Sequence, residues 1–350
     1  MPHTYIINGR FLTQKLAGVH RYAFEMCCAL HQLGCKIVVL APQCILSDYD
    51  FHFEVKKVGR LTSHLWEQIE LPYFLNKYYK NNVLISFTGL GPILHRKSIC
   101  TIHDLSFLEN PSWFSKPYYY YYKFLTPIAA KKAIKVITVS EFSKQEIIKR
   151  LKLPAEKIEV IYSAVSDKLL ISNSEINSKE KYILTVSSLD PRKNLARMME
   201  AFKLLKNNNY KLYIVGAKNK VFGKVQLNKT HNSNIIFTGY LTDSELAEYY
   251  KNATIFVYPS LYEGFGSPNI EAMKNNCPVI TSNIPPLVEV CQEAALYFDP
   301  NDAVDMANKM SVLLANKQLR NELIIKGNKR VTQFTWTKSA KKVIHLLAEI

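Results

Sequence analysis

Short apolar runs alternate with segments of helical periodicity along most of the chain. In the first half, apolar runs predict strands at 4–8, 35–40, 83–87, 98–102, 135–139 and 158–162. Apolar residues at helical spacing predict helices over 19–33 and 62–80, and Gly34 is a stop signal for the first of them. This alternation is typical of α/β domains that are built on parallel sheets.

The same alternation starts again in the second half of the chain. Strands are predicted at 182–186, 212–215, 235–237 and 254–257, helices at 195–205 and 243–251, and the chain is helical after residue 303. A polar stretch at 163–181, rich in Ser, Asn and Glu, separates the two series. We therefore predict a first domain at 1–168, a linker at 169–180, a second domain at 181–334 and a C-terminal helix at 335–350. A chain of 350 residues is long enough for two such domains.

The composition narrows the class of protein. The hydrophobic share of 48% suits globular cores, and no apolar run approaches the roughly 20 residues of a membrane-spanning helix. The beginning of the sequence lacks the pattern of a secretory signal, so we expect a cytoplasmic protein. The seven cysteines are scattered without any Cys-x-x-Cys pair, which predicts reduced thiols and no zinc site.

The formal net charge of +16 calls for an explanation. Nucleic acid, an anionic membrane surface, or an anionic substrate combined with a general preference for Lys are the three alternatives. No nucleic-acid-binding motif is present, so we expect no nucleic-acid partner. Basic residues are dense in 116–152, which begins with five tyrosines at 118–122. This stretch predicts either solvated helix faces or a surface that rests on anionic lipid.

Two acids bracket a turn in the stretch 258–273. An apolar strand leads into a Gly-containing turn, after which Ser267 is suited to cap a helix and Pro268 to begin it. Glu263 precedes the turn and Glu271 lies in the first or second turn of the helix. The amide groups at the start of a helix favour an anion or a ring of hydroxyls. Each residue alone also has an ordinary structural explanation.

A second turn, 187–194, places Arg192 and Lys193 between a strand and a helix. Cations at a helix N-terminus are electrostatically unfavourable unless an anion is bound there. The pair therefore indicates a phosphate site.

The first half offers two weaker candidates. Gly18 lies in the loop between the first strand and the first helix, without the Gly-x-Gly-x-x-Gly pattern of a dehydrogenase. His103 and Asp104 follow the strand 98–102, at the edge of an open α/β sheet where ligands bind. A structural histidine paired with a local acid is an equally good interpretation at this stage.

The string from Glu263 to Glu271 resembles the signature of the retaining GT-B glycosyltransferases that carry two Glu residues separated by seven positions. These are the group 1 glycosyl transferases of the bacterial surface-polysaccharide and O-antigen type. Segments 276–283, 287–290 and 294–300 follow in the order found in this family. The resemblance implies two Rossmann-like parallel-sheet domains that face each other across a cleft. It also implies a nucleotide sugar in the second domain, an acceptor in the first, and a last helix that returns to the first domain.

The resemblance also implies roles for single residues. Glu263 would lie against the donor sugar, Glu271 would hold the ribose, and Arg192 and Lys193 would grip the diphosphate. The expected catalytic residues are Glu263, His103 and Lys193. The expected donor-binding residues are Arg192, Glu271, Gly18, Gly264, Phe265, Gly266, Ser267 and Asn269.

The sequence departs from the family pattern in two places. Ser187 and Ser188 stand where the family often has Gly-Arg, so a usual phosphate cation is missing, and Arg192 or another group must compensate. Ser163 and Ala164 replace a common Asn-Gly after the first domain, which affects the geometry of the linker. We expect neither an obligatory metal nor a cofactor.

The predicted function is transfer of a hexose or deoxyhexose (mannose, rhamnose, fucose or glucose) with retention of configuration. The donor would be a GDP-, UDP- or dTDP-sugar, and the acceptor a sugar hydroxyl on a lipid-linked or polysaccharide glycan. The protein would be cytoplasmic and peripheral on the inner face of the membrane. Two alternatives stay open: a basic protein that binds nucleic acid or another polyanion, and a nucleotide-sugar epimerase, which consumes the donor without an acceptor.

Overall fold

The computed structural model describes residues 4–16, 18–46, 50–169, 180–205, 209–216 and 233–350. Contacts divide the chain into two compact units. Unit 1 comprises 1–105, 120–164 and 335–350, and unit 2 comprises 106–119 and 165–334. The segment 106–119 thus groups with unit 2, and most of the predicted linker 169–180 lies outside the described residues.

Each unit is built on a parallel sheet. Among the described residues, the sheet of unit 1 has seven strands in the order β3-β2-β1-β4-β5-β6-β7, and that of unit 2 has six in the order β10-β9-β8-β11-β12-β13. The strands are β1 (Thr4–Asn8), β2 (Lys36–Ala41), β3 (Glu54–Lys57), β4 (Leu84–Ser86), β5 (Ser98–Thr101), β6 (Lys135–Thr138), β7 (Ile158–Val160), β8 (Tyr182–Val186), β9 (Lys211–Val215), β10 (Ile235–Gly239), β11 (Ile255–Tyr258), β12 (Val279–Ser282) and β13 (Ala295–Phe298). The predicted α/β class with two Rossmann-like parallel sheets is confirmed.

Helices connect most of the strands. The α-helices are α1 (Gly18–Gln32), α2 (Ser63–Leu65), α3 (Leu71–Tyr78), α4 (Ser106–Glu109), α5 (Lys116–Lys132), α6 (Glu141–Leu151), α7 (Leu195–Leu204), α8 (Asp243–Asn252), α9 (Ser267–Lys274), α10 (Pro285–Cys291), α11 (Ala303–Ala315), α12 (Lys317–Val331) and α13 (Trp336–Ala348). No helix in the described part of the chain is both long and apolar enough to cross a bilayer.

Burial on both faces of the sheet explains why the strands appear in the sequence as continuous apolar runs. In unit 2, Ile183, Val257 and Ile280 from three neighbouring strands pack with apolar residues of α7 and α11, such as Met198 and Met310. Helices cover a parallel sheet on its faces, so side chains on both sides of a strand are buried. The central strand β11 is accordingly buried at every position.

The C-terminal helix α13 belongs to unit 1 and packs on α1. Ser339 donates a hydrogen bond of 2.7 Å to the carbonyl of Tyr162, and the Trp336 ring lies edge-on against Tyr22 with centroids 5.6 Å apart. The Tyr22 hydroxyl in turn donates to the carbonyl of Ile161. These contacts join the chain end to the end of the β7 region.

The helix predicted at 62–80 is interrupted. The structure has α2, a π-helical turn at Trp66–Glu70, and then α3. The Trp66 indole donates to the carbonyl of Val58, and Glu67 is 1% exposed. Apolar periodicity does not register such a change of helix type, because Trp66 at the start of the π-helical turn and Leu71 directly after it both face the core. The short and mostly exposed strand β3 also lies outside the predicted elements.

Candidate active site

Lys193 and Glu263 form an ion pair at the carboxyl edge of the unit 2 sheet. The Lys193 ammonium lies 2.5 Å from Glu263 Oε1 and donates to the Tyr258 hydroxyl at 2.8 Å. The Tyr258 hydroxyl donates to the same carboxylate oxygen at 2.7 Å. Tyr258 ends β11, Glu263 lies in the turn that follows, and Lys193 follows β8, which is hydrogen-bonded to β11. The three side chains meet because the carboxyl ends of the neighbouring parallel strands β8 and β11 lie at the same edge of the sheet.

The Glu263 carboxylate is ionised in this setting. Burial by itself would raise its pKa, but Lys193, the nearby Arg192 and the Tyr258 hydroxyl together hold the pKa below its ordinary value. Burial and the adjacent Glu263 carboxylate raise the pKa of Tyr258 well above the usual range. Tyr258 is therefore a neutral donor to a carboxylate at physiological pH.

Arg192 is held in place by residues from two parts of the sequence. Its Nε and Nη2 atoms donate to Asp190 Oδ2 at 2.9 and 2.8 Å, and Nη1 donates to the Ser106 hydroxyl at 2.9 Å. The Phe114 ring lies under the guanidinium, 5.4 Å from ring centroid to Cζ. The Arg192 carbonyl accepts a hydrogen bond of 2.7 Å from the Leu261 amide. The 187–194 turn is thereby joined to the turn that carries Glu263.

The turn before α9 is tightly built. Gly266 has φ of 89° and is the N-cap, and a Cβ there would lie 2.3 Å from Leu287 Cδ2. Only glycine fits this combination of a left-handed backbone and a close neighbour. The prediction that Ser267 caps the helix is wrong: Ser267 is the first helical residue, Pro268 the second, and no side chain caps the helix. Gly264 is buried in the same turn.

The other predicted donor-binding residues of this region lie on α9 or beside it. Glu271 accepts a hydrogen bond of 3.0 Å from the Tyr250 hydroxyl. Asn269 donates to Thr281 Oγ1 at 3.2 Å. The Phe265 ring packs edge-on against Phe334, with centroids 5.4 Å apart.

Two predicted site residues belong to unit 1. His103 follows β5, and its Nε2 lies 2.9 Å from the carbonyl of Phe87, so Nε2 carries the proton and donates. Burial lowers the pKa of His103, which leaves Nδ1 as an acceptor on a neutral ring. Gly18 begins α1 with φ of 51°, and nothing lies within 4 Å of where its Cβ would be.

The structure brings Lys193 and Glu263 into direct contact and places Arg192 beside them. Sequence reasoning missed the groups that hold these residues. Asp190 gave a local signal, because an Asp followed by Pro and two cations is typical of a capped turn. Tyr258 begins the stretch 258–273, but nothing in the sequence indicated a role for it. Ser106 and Phe114, more than 75 positions away, gave no signal at all.

In the part of the chain that the structure describes, no three His, Cys, Asp or Glu side chains are grouped to hold a metal ion. The sequence does contain an Asp-x-Asp at 48–50, whose first two residues lie outside the described ranges. Metal independence therefore stays a prediction.

Comparison with known proteins bears on this arrangement. The family model "Glycosyl transferases group 1" matches residues 167–330, and "Glycosyltransferase Family 4" matches residues 16–169. The chain is 27% identical to O-antigen chain mannosyltransferase RfbU of Salmonella typhimurium, over 98% of this chain and 99% of the relative. It is 29% identical to O-antigen chain mannosyltransferase B of Escherichia coli, over 71% of this chain and 69% of the relative.

The fold is shared with solved glycosyltransferases. HepE from Anabaena, solved in complex with UDP-glucose, superposes with a TM-score of 0.75 over 99% of each chain at 16% identity. The two family models together span residues 16–330 and include every predicted site residue. The chain therefore belongs to the group 1 glycosyl transferases with a family 4 first domain, a group of GT-B fold.

Proposed function

We infer that this protein transfers a hexose, mannose above all, from a nucleoside diphosphate sugar to a hydroxyl of a growing surface glycan. The observation that carries this function is the Lys193–Glu263–Tyr258 cluster with Arg192 beside it. The names of the relatives, O-antigen chain mannosyltransferases, support mannose and a polysaccharide or lipid-linked acceptor. Rhamnose, fucose and glucose are the other donor sugars to test, on GDP, UDP or dTDP.

The cations stabilise the leaving diphosphate. Lys193 has three N–H donors, and hydrogen bonds to Glu263 and Tyr258 use two of them. The third is available to a phosphate oxygen, and Arg192 supplies a second positive charge nearby. Preorganised donors aimed at developing charge typically contribute about 3 kcal/mol each to lowering a barrier. Because both cations are already fixed by carboxylates, little side-chain reorganisation accompanies the reaction.

Glu263 orients the donor sugar, and Glu271 holds the ribose from the second turn of α9. An ionised Glu263 accepts hydrogen bonds from sugar hydroxyls while it keeps Lys193 in position. Gly264, Phe265, Gly266, Ser267 and Asn269 line the same turn. Gly18 and His103 act on the donor from unit 1, with the neutral His103 ring positioning hydroxyls.

Transfer proceeds with retention at the anomeric carbon. The bond from that carbon to the diphosphate oxygen breaks, a bond to the acceptor oxygen forms on the same face, and the acceptor proton passes to the leaving phosphate. Two cations supply the charge that a metal supplies in other enzymes, so the reaction needs no obligatory metal. Proton NMR of the product anomer, with and without chelator in the assay, tests both statements. An inverted product would exclude the mechanism, and loss of transfer with chelator would exclude metal independence.

The principal test is Lys193→Ala. We expect the transfer rate to fall by roughly two to three orders of magnitude. The thermal unfolding midpoint should fall as well, because the buried Glu263 carboxylate loses its counter-charge, so circular dichroism is used to check that the variant is folded at the assay temperature. Lys203→Ala is the matched control, because Lys203 is exposed on the adjacent α7. Unchanged turnover in Lys193→Ala would remove this cluster from the active site.

The donor is identified by thermal shift with a panel of nucleotide sugars. A ligand at 100 times its dissociation constant adds about 2.7 kcal/mol to stability, so GDP-mannose should raise the midpoint more than UDP- or dTDP-sugars. An epimerase would convert the donor without an acceptor, and that outcome would contradict the transferase assignment.

A membrane surface is the proposed setting of the acceptor. Two helical stretches of unit 1 carry exposed apolar side chains four residues apart: Leu65, Ile69 and Tyr73, and Tyr120, Phe124 and Ile128. Contact between the His64 and Tyr121 rings, 4.3 Å apart, joins the two stretches. Exposed Lys123, Lys131 and Lys132 accompany them on α5. This combination of apolar residues and Lys is typical of a surface that rests on anionic lipid, here the inner face of the cytoplasmic membrane.

A further inference from the structure

Residues 106–119, which we call the strap, come from the first half of the sequence but belong to unit 2. The residues on either side of the strap belong to unit 1. Two side chains of the strap contact Arg192, and a third, Trp113, lies near Tyr262 with ring centroids 6.5 Å apart. A distant part of the sequence therefore packs on both turns of the candidate active site, the one that carries Arg192 and the one that carries Glu263.

Asp190 alone does not fix the direction of the Arg192 guanidinium. Nε and Nη2 both donate to the same atom, Asp190 Oδ2, while Asp190 Oδ1 accepts a hydrogen bond from the Arg192 amide. A carboxylate that fixes a guanidinium in its plane normally uses two oxygens, each of which faces one nitrogen. With a single shared oxygen, the guanidinium can pivot about that atom.

The strap supplies two contacts that prevent this rotation. The Ser106 hydroxyl accepts a hydrogen bond of 2.9 Å from Nη1, at the opposite end of the guanidinium. The Phe114 ring lies under the guanidinium, with its centroid 5.4 Å from Cζ, where a cation is attracted to the ring face. Phe114 is itself buried and stacks on Tyr118, with ring centroids 5.1 Å apart. The guanidinium is thus held at three points in one orientation.

Stability does not account for a cation that is held so firmly. The Asp190 side chain is fully buried and the Arg192 side chain is 11% exposed. Such pairs contribute little net stability compared with apolar residues of the same volume, because desolvation offsets the attraction. The charge acts on the active site, since Lys193 and then Arg192 hold the pKa of Glu263 below its ordinary value against the effect of burial. A preorganised cation lowers a barrier because it does not reorganise as charge develops.

We propose that Ser106 and Phe114 are positioning residues for glycosyl transfer, because they hold the Arg192 guanidinium toward the leaving diphosphate. The strap thereby completes the donor site of unit 2. This inference rests on the proposed transferase function and adds two residues that act through Arg192. Their effect falls on the rate of bond breaking, because the leaving oxygen carries more charge in the transition state than in the bound donor.

The first test measures donor cleavage and donor binding separately in Ser106→Ala. GDP-mannose is the probe, used with the whole chain: its hydrolysis without acceptor reports bond breaking, and calorimetry gives its dissociation constant. We expect the hydrolysis rate, and kcat for transfer to octyl α-mannoside, to fall about tenfold, while the dissociation constant stays within about twofold of wild type. Ser106→Thr keeps the hydroxyl and should retain most of the rate. Ser112→Ala is the matched control, because Ser112 is exposed on the same strap and donates to Asn110.

A double-mutant cycle shows whether Ser106 acts through Arg192. The cation is absent in Arg192→Gln, so adding Ser106→Ala to it should change the hydrolysis rate by less than about twofold. Phe114→Leu keeps an apolar side chain but removes the aromatic face, so we expect a several-fold fall in the wild type and none beside Arg192→Gln. If Arg192→Gln does not fold because Asp190 loses its counter-charge, the comparison of Ser106→Ala with Ser106→Thr decides the question.

The outcomes separate this inference from the function it rests on. Equal falls in rate caused by Ser106→Ala with and without Arg192 would mean that the strap only stabilises the fold, and so would a Ser106→Thr variant as slow as Ser106→Ala. A higher donor dissociation constant with an unchanged rate would place the effect on binding and overturn the positioning role. Failure of the wild type to bind any nucleotide sugar would instead contradict the transferase assignment.

Discussion

At the scale of single residues, Tyr258 is the group that links the two partners of the central ion pair. Its hydroxyl accepts from Lys193 and donates to Glu263, so it fixes the distance between cation and carboxylate. Tyr258→Phe removes both hydrogen bonds and leaves the ring packing against Phe256 intact. We expect stability to fall by about 1 kcal/mol and kcat to fall by roughly tenfold with little change in the donor KM.

Tyr213→Phe is the control for that variant. The Tyr213 hydroxyl also donates to a carboxylate, that of Glu180, at 2.6 Å, but near the start of β8 and away from the Lys193 cluster. It should leave kcat unchanged. Equal kinetic effects of the two variants would show that Tyr258 has no specific part in the reaction.

The lowered pKa of Glu263 has a consequence for stability. Because the folded protein binds this proton more weakly than the unfolded chain, ionised Glu263 stabilises the fold above its ordinary pKa of 4.5. That contribution is lost as the pH falls through the lower folded-state pKa. Denaturant unfolding of wild type and Glu263→Gln from about pH 7 to about pH 3 should show a stability gap that is widest at neutral pH and narrows in acid. A gap that is constant with pH would contradict the ionised assignment.

The sequence was informative about the residues that carry charge and uninformative about their supports. Glu263 and Lys193 stand out because each places a charge in the turn between a strand and a helix. Their contact, across 70 positions, follows from the pairing of β8 with β11 and not from any local pattern. The hydrogen bond between Arg192 and Ser106, which are 86 positions apart, also has no local pattern in the sequence.

At the scale of elements, the apolar pattern was sufficient to predict strands and helices whose buried side chains are apolar. It was not sufficient where a polar side chain is buried. The periodicity of 62–80 indicated one helix, whereas a π-helical turn there directs Glu67 inward to Asn8 and Arg10. The polar interaction that favours this turn involves residues from β1 and the loop after it. A helical pattern within 62–80 contains no information on those partners.

The start of α9 gives a prediction that belongs to an element. Gly266→Ala combines an unfavourable left-handed backbone with a Cβ 2.3 Å from Leu287 Cδ2. Gly34→Ala shares the left-handed backbone, with φ of 82°, but nothing lies within 4 Å of its Cβ position. We expect Gly34→Ala to cost about 1 kcal/mol and Gly266→Ala distinctly more, with weaker donor binding because the amides of the first turn of α9 are displaced.

Denaturant unfolding and nucleotide-sugar titration of both variants test this difference. If the two variants lose equal stability, the close approach to Leu287 is not a constraint on the turn. If Gly266→Ala loses stability but binds the donor normally, the N-terminus of α9 has no part in the donor site.

At the scale of the whole molecule, the repeated alternation of strands and helices was sufficient to predict two parallel sheets. Parallel strands require crossover connections, and the lengths of the predicted helices supplied them. The assignment of 106–119 to unit 2 was beyond such reasoning. That segment follows β5 in sequence, but Trp113 packs near Tyr262 with centroids 6.5 Å apart, and Phe114 lies under Arg192. Aromatic contacts of this kind are decided by tertiary packing.

The charge of the whole chain leads to the last prediction. A protein with a net charge of +16 and exposed aromatic side chains on unit 1 should sediment with vesicles that contain phosphatidylglycerol, and much less with pure phosphatidylcholine. Phe124→Ser should weaken that binding by at least about tenfold, because transfer of the exposed phenyl ring from water into the lipid interface contributes about 1.5–3 kcal/mol. Ile325→Ser is the matched control, since Ile325 is 70% exposed on α12 of unit 2 and lies on no such stretch. Equal binding by both variants would place the contact elsewhere, and binding abolished by moderate salt in the wild type would mean that charge acts without the apolar residues.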